Sequence, residues 1–420
     1  MRILIAGAGG VGTSAALIAA RRDFFDAVVV ADYHLARAEA VVARVADPRF
    51  TAARLDAGDP AAVTGLCRAH GITHVLNVVD PRFVTSLFDG AFAAGAHYLD
   101  TAMSVSRPHP TEPHARTGIK LGDYQFERSE QWQRAGLLAL TGIGVEPGLA
   151  DVFARYAADH LFSEIDEIGI RDGANLVVHG HAFAPSFSIW TTIEECLNPP
   201  VVWERDRGWY TLEPFAEPEV FDFPAGIGPV ECVHVEHEEV LLVPRWIDCK
   251  KVTFKYGLGE DFIEVLRTIH RLGLDRTDKV RVGAAEVAPR DLVAALLPDP
   301  ATLGDQMSGK TCAGTWVTGK DRYGDPLEVY LYHVADNAWT MAEYGVQAVV
   351  WQTAMNPVIA LELLATGRWR GAGVQGPEAF DAVPFLELLR SGYGQEWHID
   401  DRTPVSPVRQ LLPGAQRRAG

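Results

Sequence analysis

Arg2-Ile3-Leu4-Ile5-Ala6-Gly7-Ala8-Gly9-Gly10-Val11-Gly12 opens the chain, and its reading decides the fold. Residues 2–6 are a short, largely branched apolar run, the pattern of a buried parallel strand, and they lead directly into a glycine-rich turn. In such a turn Gly7 permits the tight bend, Gly9 lets a phosphate approach the backbone, and Gly12 allows helix and strand to pack closely. The helix that follows presents unpaired N–H groups at Gly10 and Val11 together with partial positive charge, which suits a pyrophosphate.

A GxGxxG alone is a weak signal, so its surroundings decide. Thr13 to Ala20 continue as small apolar residues at helical density, and Ala27 to Asp32 read as a second strand ending in an acid. An acid about twenty residues beyond the glycines, at the tip of strand two, accepts the ribose hydroxyls of NAD and repels the extra phosphate of NADP. The expected cofactor is therefore NAD or NADP. Asp32 favours NAD, while Arg37, one helical turn later, offers a phosphate partner.

The same theme repeats along the first hundred and forty residues. Strands are expected at 50–55, 73–79, 97–101 and 136–140, with helices at 60–70, 83–94 and 126–135. Strands alternating with helices of this length give an α/β fold, a Rossmann-type doubly wound parallel sheet. Ligands of such sheets sit at the carboxyl ends of the strands, so Asp32, Asp56, Asn77, Val78, Val79, Asp100 and Thr101 are expected to face one crevice. Asp56 reads equally well as a helix N-cap. Residues 104–123, rich in Pro and His, are expected to loop over that crevice.

Beyond Gly148 the pattern changes to strand-like runs at 167–171, 231–237 and 251–254, with helices at 262–272 and 289–297. This predicts an α+β domain with a mixed or antiparallel sheet. A long apolar helix is expected over 341–365, kinked near Pro357. The division expected is a dinucleotide-binding domain at 1–145, an α+β domain at 146–340, a helical segment at 341–400 and a flexible tail at 401–420.

Composition narrows the class. No apolar run in the sequence approaches the ~18 residues of a bilayer span, and the second residue already starts a strand, so neither membrane nor leader is expected. The five cysteines (67, 196, 232, 249, 312) show no CxxC pairing, which predicts reduced thiols, a cytoplasmic setting and no cysteine metal site. A net charge of −17 disfavours nucleic acid as a partner.

Several further stretches carry a resemblance. GAGGVG (7–12), DTAMSV (100–105), GVEPGLADVFARYAADHLFSEID (144–166), VEHEEV (235–240), LLPDPATLGDQMSGKTCAGTWVTGK (296–320) and GVQGPEAFDAVPFLELL (373–389) resemble the saccharopine dehydrogenase-like family of NAD(P) oxidoreductases. Within it they are most similar to the carboxynorspermidine (carboxyspermidine) dehydrogenase branch. The resemblance implies reduction of an imine, formed between an aldehyde and an amine, to a secondary amine by a nicotinamide hydride. That branch joins aspartate semialdehyde to a diamine; other branches act on saccharopine or on the side-chain amine of lysine. The resemblance also implies that the α+β domain at 146–340 binds substrate and forms a homodimer, and that the segment 341–400 returns to the Rossmann side. Two departures stand out: Asp32 replaces the Ser-Arg-like pair of NADPH-using relatives, and Asp336-Asn337-Ala338 replaces Asp-His-Glu.

Imine reduction needs the hydride donor held against the imine carbon in a dry site, and an acid near the nitrogen. Glu146, after the sixth strand, Asp100, at the tip of the fifth, and His237, in His-Glu-Glu, are the candidate catalytic groups. Met103, Pro147 and Gly148 lie in the same motifs and are expected beside the substrate. Ser188 and Trp190, in FAPSFSIWTTIEEC (183–196), start a helix that lines the pocket or a dimer interface. Arg171 or Lys310 is the expected partner of a substrate carboxylate. His179-Gly180-His181 lacks a third ligand, and no metal is expected. The competing readings are a saccharopine, opine or lysine ε-dehydrogenase acting on an amino acid, and a dinucleotide-binding protein without catalysis.

Overall fold

The computed structural model describes residues 1–404. Strands β1 (Arg2–Ala6), β2 (Ala27–Asp32), β3 (Phe50–Arg54), β4 (His74–Asn77), β5 (His97–Asp100) and β6 (Leu138–Leu140) form one parallel sheet in the order β6-β5-β4-β1-β2-β3. The order reverses between β1 and β4, which opens a crevice beyond the strand ends at that point. Gly373–Gln375 adds a seventh strand beside β6. At three residues it is too short to show a period in the sequence.

The glycine turn packs as the spacing demands. Helix α1 (Gly10–Ala19) starts immediately after it, and a Cβ on Gly12 would lie 1.9 Å from the carbonyl oxygen of Gly7. Gly7 itself has φ +110°, and a Cβ there would meet Val79 at 2.8 Å. Only glycine satisfies both the backbone and the space.

A second sheet of nine strands carries the rest of the chain. At its centre Phe162–Ala174 runs antiparallel to Lys310–Asp321 and parallel to Lys251–Gly257, so the sheet is mixed. Lys310–Asp321 pairs along its length with Pro326–Asp336. These long strands are buried on both faces and lack the alternation that marks a half-buried strand, so the sequence shows only fragments of them.

Five local expectations need correction. The segment 341–365 is two helices, Asn337–Tyr344 and Ala348–Ala365, broken at Gly345, whose φ of +65° ends the first; Pro357 sits inside the second. Ala348–Ala365 is, by length and composition, apolar enough to cross a membrane, but it is packed in the core against α1. The chain does return to the first sheet, through this helix and Gly373–Gln375, yet Trp397–Asp401 joins the second sheet beside Pro326–Asp336. The expected tail thus begins inside a strand. Its residues 405–420 lie outside the described residues.

Residues 104–123 do not cover the crevice: Ser106 donates to Glu236, and Arg107 pairs with Ile119 in an isolated bridge. The helix expected at 126–135 is split into Asp123–Phe126 and Ser129–Arg134. The strand expected at 231–237 ends at His234, and Glu239–Trp246 begins a helix. His237 and Glu238 therefore occupy a buried turn rather than a strand with one wet face.

Candidate active site

A cavity of about 420 Å³ lies at the carboxyl ends of β1, β2 and β4, between the two sheets. Its outer end is the glycine turn. Gly7, Gly9, Gly10, Val11, Asp32, Val78, Val79 and Thr101 all line it, as does Arg37. A Cβ on Gly9 would meet nothing within 4 Å, so this face is open space. No side chain caps α1, which leaves its first N–H groups and partial positive charge for an anion. Asp32 closes this end: Oδ2 accepts the Ala8 N–H at 3.0 Å and Oδ1 the His34 N–H at 2.9 Å. An open glycine, a bare helix start and a carboxylate at the tip of β2 together fit a dinucleotide. Bound here, it supplies hydride.

The inner end is lined by Glu146, Pro147, Ser188, Thr191, Glu195, His237, Glu238 and Tyr256. Thr191 and Glu195 are one turn apart on the helix Ile189–Leu197, whose N-cap is Ser188. The His237 ring stacks on Phe254 with centroids 3.8 Å apart and planes 4° from parallel. Its Nδ1 lies 2.6 Å from Glu239 Oε2 and 3.5 Å from Glu238 Oε2. Glu238 Oε1 in turn accepts the Met103 N–H at 3.0 Å. Glu146 carries a buried oxygen, Oε2, with no partner, and it and Asp172 on the adjoining wall are close enough for each carboxyl to shift the other.

Burial and mutual repulsion dominate the charge state. Burial pushes Glu195 up to about 8 although His237 opposes it, and pushes Asp172 up to about 7 although the hydrogen bond with Glu146 opposes it. Glu146 is raised well above the ordinary carboxyl range by burial and by Asp172. Burial also lifts Glu236 to about 8, against hydrogen bonds from Ser106 and Asn198. Burial lowers His237, but Glu239, Glu238 and Glu195 outweigh it and hold the imidazole up at about 10. Carboxyls raised toward or past neutral pH, Glu146, Asp172 and Glu195, thus stand around one imidazolium. Besides His237, Arg37 at the dinucleotide end is the one basic side chain among the described lining residues.

Several expected residues stand elsewhere, each for a visible reason. Asp56 Oδ1 accepts the Gly58 N–H at 2.9 Å in a turn outside the cavity, and the helix Pro60–His70 is capped by Asp59 rather than Asp56. Asn77 is buried, donating to the Tyr98 hydroxyl at 2.8 Å. Asp100 is buried behind the wall, accepting from Gln125 and from Gly142, and burial lifts it to about 7. Gly12 and Gly148 are packing glycines; Met103 is fully buried.

Arg171 is spent on Glu219 and Thr253, and Lys310 reaches the Ala225 carbonyl at 3.3 Å. Trp190 lies between Arg82 and Arg290. None of these side chains lines the cavity. The 336–338 departure is structural: Asp336 caps the helix Asn337–Tyr344, and Asn337 clamps the carbonyls of Gly304 and Met307.

His179 and His181 bond to Ser308 and Gln306. The donors of His237, Glu238 and Glu239 fall within 4.8 Å of one another, but a proton on Nδ1 already bridges the imidazole to Glu239. The sequence reading missed Asp172, Glu195, Glu238 and Tyr256. Only Glu195 had a signal, standing one helical turn after Thr191.

A parallel dinucleotide sheet joined to a mixed sheet, with acids at the shared cavity, defines an NAD(P)-dependent oxidoreductase. The chain belongs to the saccharopine dehydrogenase family: the saccharopine dehydrogenase NADP binding domain matches residues 3–140, and the saccharopine dehydrogenase C-terminal domain matches 144–394. It is 31% identical over 94% of its length to carboxyaminopropylagmatine dehydrogenase of Synechocystis, covering 97% of that protein. It is also 31% identical to carboxynorspermidine synthase of Vibrio alginolyticus, covering 78% of this chain and 77% of that one.

Two solved structures share the fold. Apo saccharopine dehydrogenase (L-Glu forming) of Saccharomyces cerevisiae aligns with TM-score 0.68 at 14% identity over 95% of this chain and 99% of that one. The homospermidine synthase of Legionella pneumophila, in complex with NAD, aligns with TM-score 0.65 at 15% identity over 100% and 95%.

Proposed function

We propose that this enzyme condenses an aliphatic amine with an aldehyde such as aspartate semialdehyde and reduces the resulting imine to a secondary amine. The observation that carries the reading is the inner end of the cavity, where Glu146, Asp172, Glu195 and Glu238 surround a single imidazolium. Carboxyls that ionise near neutral pH release protons to receive a cationic amine, and the carboxylates so formed hold an iminium, which accepts hydride more readily than a neutral imine. The named relatives act on carboxylated polyamines, which supports the same class.

The residues have separable tasks. The Glu146–Asp172 pair takes a proton from the incoming ammonium, which frees the nitrogen lone pair to attack the aldehyde carbon. The same pair returns a proton to the hydroxyl that leaves as water. The iminium nitrogen then sits against carboxylates, and hydride arriving at the carbon yields the secondary amine. His237 uses Nδ1 on Glu239, so Nε2 is the atom turned to a substrate oxygen. One imidazolium suits an aldehyde with one carboxylate better than saccharopine with three, which disfavours the saccharopine alternative.

Asp32 at the tip of β2 supports NAD over NADP within this reading. The division into domains at 145 and 340, a homodimer and a cytoplasmic setting complete it. The test is consumption of NADH and NADPH with aspartate semialdehyde and a panel of amines, with product masses recorded. Turnover is expected with at least one diamine or longer polyamine, and Glu146→Gln is expected to lower kcat by roughly 100-fold. Cofactor binding without turnover for any pair would return the protein to the non-catalytic alternative.

A further inference from the structure

The turn that carries Glu146 is held from behind by a carboxyl that does not line the cavity. Gly144 donates its N–H to the Pro147 carbonyl at 2.6 Å, and Leu149 donates to the Gly144 carbonyl at 3.2 Å. Gly148 donates to Asp151 Oδ2 at 2.6 Å. Glu146 and Pro147 line the cavity on this turn, whereas Asp151, on the first turn of the helix Leu149–His160, is fully buried behind it. A Cβ on Gly148 would lie 2.1 Å from the Gly144 carbonyl oxygen, so the turn is closed tightly on itself.

Two further acids stand behind Asp151. The helix Leu149–His160, the helix Glu239–Trp246 and the short turn Pro377–Ala379 pack on one another, and each brings a buried carboxyl to the junction: Asp151, Glu239 and Glu378. Asp151 Oδ1 and both oxygens of Glu378 are buried there and meet no donor among the described residues. The cations near Glu378 are engaged elsewhere. Arg155 binds Asp159 and the Trp246 carbonyl, and Arg245 binds the Leu241 carbonyl and lies over the Phe126 ring. Two adjacent buried carboxyls without a cation cannot both ionise, and a proton on one gives each a partner. Burial, Glu378 and Glu239 raise Asp151 well above the ordinary carboxyl range. Burial pushes Glu378 up to about 7, and the hydrogen bond with Asp151 opposes it.

We infer that Asp151 and Glu378 hold one proton between them and act as a positioning pair for the turn that carries Glu146. The proton sits on Asp151 Oδ1 and is donated to Glu378, which leaves Oδ2 to hold the Gly148 N–H. Loss of that proton puts two carboxylates beside Glu239 in the dry interior, and their repulsion acts on the helix start that anchors the turn. The inference rests on the reading of Glu146 given above and adds what holds that residue in place. It also gives the segment 373–389 a task, because Glu378 reaches the turn through Asp151.

The experiment compares the wild type, Asp151→Asn and Asp151→Ala. Thermal melts from about pH 7 to about pH 9 count the proton without any substrate. The kcat and KM with aspartate semialdehyde, a diamine and reduced cofactor report the turn. Asparagine copies the protonated acid: its oxygen accepts the Gly148 N–H and its amide donates to Glu378. Stability contributed by the Asp151 proton is complete below about pH 4 and is lost as pH rises through the raised folded value. Asparagine has no such loss, so the fall of Tm with pH is expected to be shallower in Asp151→Asn, by one proton fewer released on unfolding. Asp151→Ala is expected to lower kcat by roughly tenfold or more with KM little changed, measured well below its Tm, and Asp151→Asn to recover that kcat. Asp151→Asn as damaging as Asp151→Ala, or a Tm slope equal to that of the wild type, would overturn the shared proton, even where Asp151→Ala does not fold. Full kcat in Asp151→Ala would overturn the positioning role and leave the amine reading intact. Absence of wild-type turnover with every amine would sink the amine reading instead, while the Tm slopes still decide the proton.

Discussion

His237 Nδ1 lies 2.6 Å from Glu239 Oε2, and both side chains are buried. The contact decides the charge of the one imidazole in the inner cavity. Burial alone would make His237 neutral; the charge and hydrogen bond of Glu239 reverse that. Phe254 completes the arrangement, because its ring face, 3.8 Å away, favours a cation. Glu239→Gln keeps the shape and removes the charge. The imidazole is then expected to be neutral at pH 7.5, where the wild type is charged, as read from its NMR titration. The alkaline limb of kcat/KM should move to lower pH with it. An unchanged titration would show that Glu239 does not set the charge.

The two glycines of the turn should separate folding from cofactor binding. A Cβ on Gly12 would meet the Gly7 carbonyl at 1.9 Å, so strand and helix must part to admit it. Gly12→Ala is expected to cost about 1–3 kcal/mol and to lower Tm by several degrees. Gly9→Ala meets open space, so Tm should hold while dinucleotide affinity falls. Equal losses of Tm in the two variants would contradict the packing argument.

Asp32 should set cofactor choice. It lines the cavity together with Arg37, a cation that can pair with the extra phosphate of NADPH. Asp32→Ser removes the repelling charge, and the kcat/KM ratio of NADH to NADPH is expected to shift toward NADPH by tenfold or more. The Ala8 and His34 N–H groups keep an acceptor in the serine hydroxyl only in part, so a modest fall in Tm should accompany the change.

Stability should fall as pH rises from about 6 to 9. The folded-state values of Asp172 (about 7), Glu195 (about 8) and Glu236 (about 8) are raised. Above about pH 4 the unfolded chain has released those protons while the folded chain still holds them, so the slope of stability against pH is negative. The contribution is complete below the unfolded value and is lost as pH passes through 7 to 8. His237, raised to about 10, acts in the same direction above its ordinary value of about 6.5. Thermal melts across this range check the sign, and a flat or rising Tm would contradict it.

The dinucleotide half of the site was legible because its signals are local. Gly7 to Gly12 and Asp32 are fixed by a turn, a helix start and a strand end that follow one another along the chain, and all but Ala8 and Gly12 line the cavity. Glu146 was also legible, since it directly follows a buried strand. His237 was found for a reason that failed: its neighbours suggested a strand, whereas burial in a turn makes Glu238 and Glu239 its partners. Arg171, Asp100 and Lys310 have the right chemistry, but each is committed to protein groups that lie far away in sequence.

What the sequence by itself determined is the class of fold and the cofactor end, since β1, the glycine turn and β2 are specified by contacts within about thirty residues. The substrate end was decided only by the tertiary structure. Asp172 from the central strand, Glu195 from a helix, His237 from a turn and Glu146 from the loop after β6 meet because the two sheets close on each other. Their shared burial then sets the proton count of the site. No period or spacing along the chain encodes that, because desolvation and repulsion depend on distances through space rather than along the backbone.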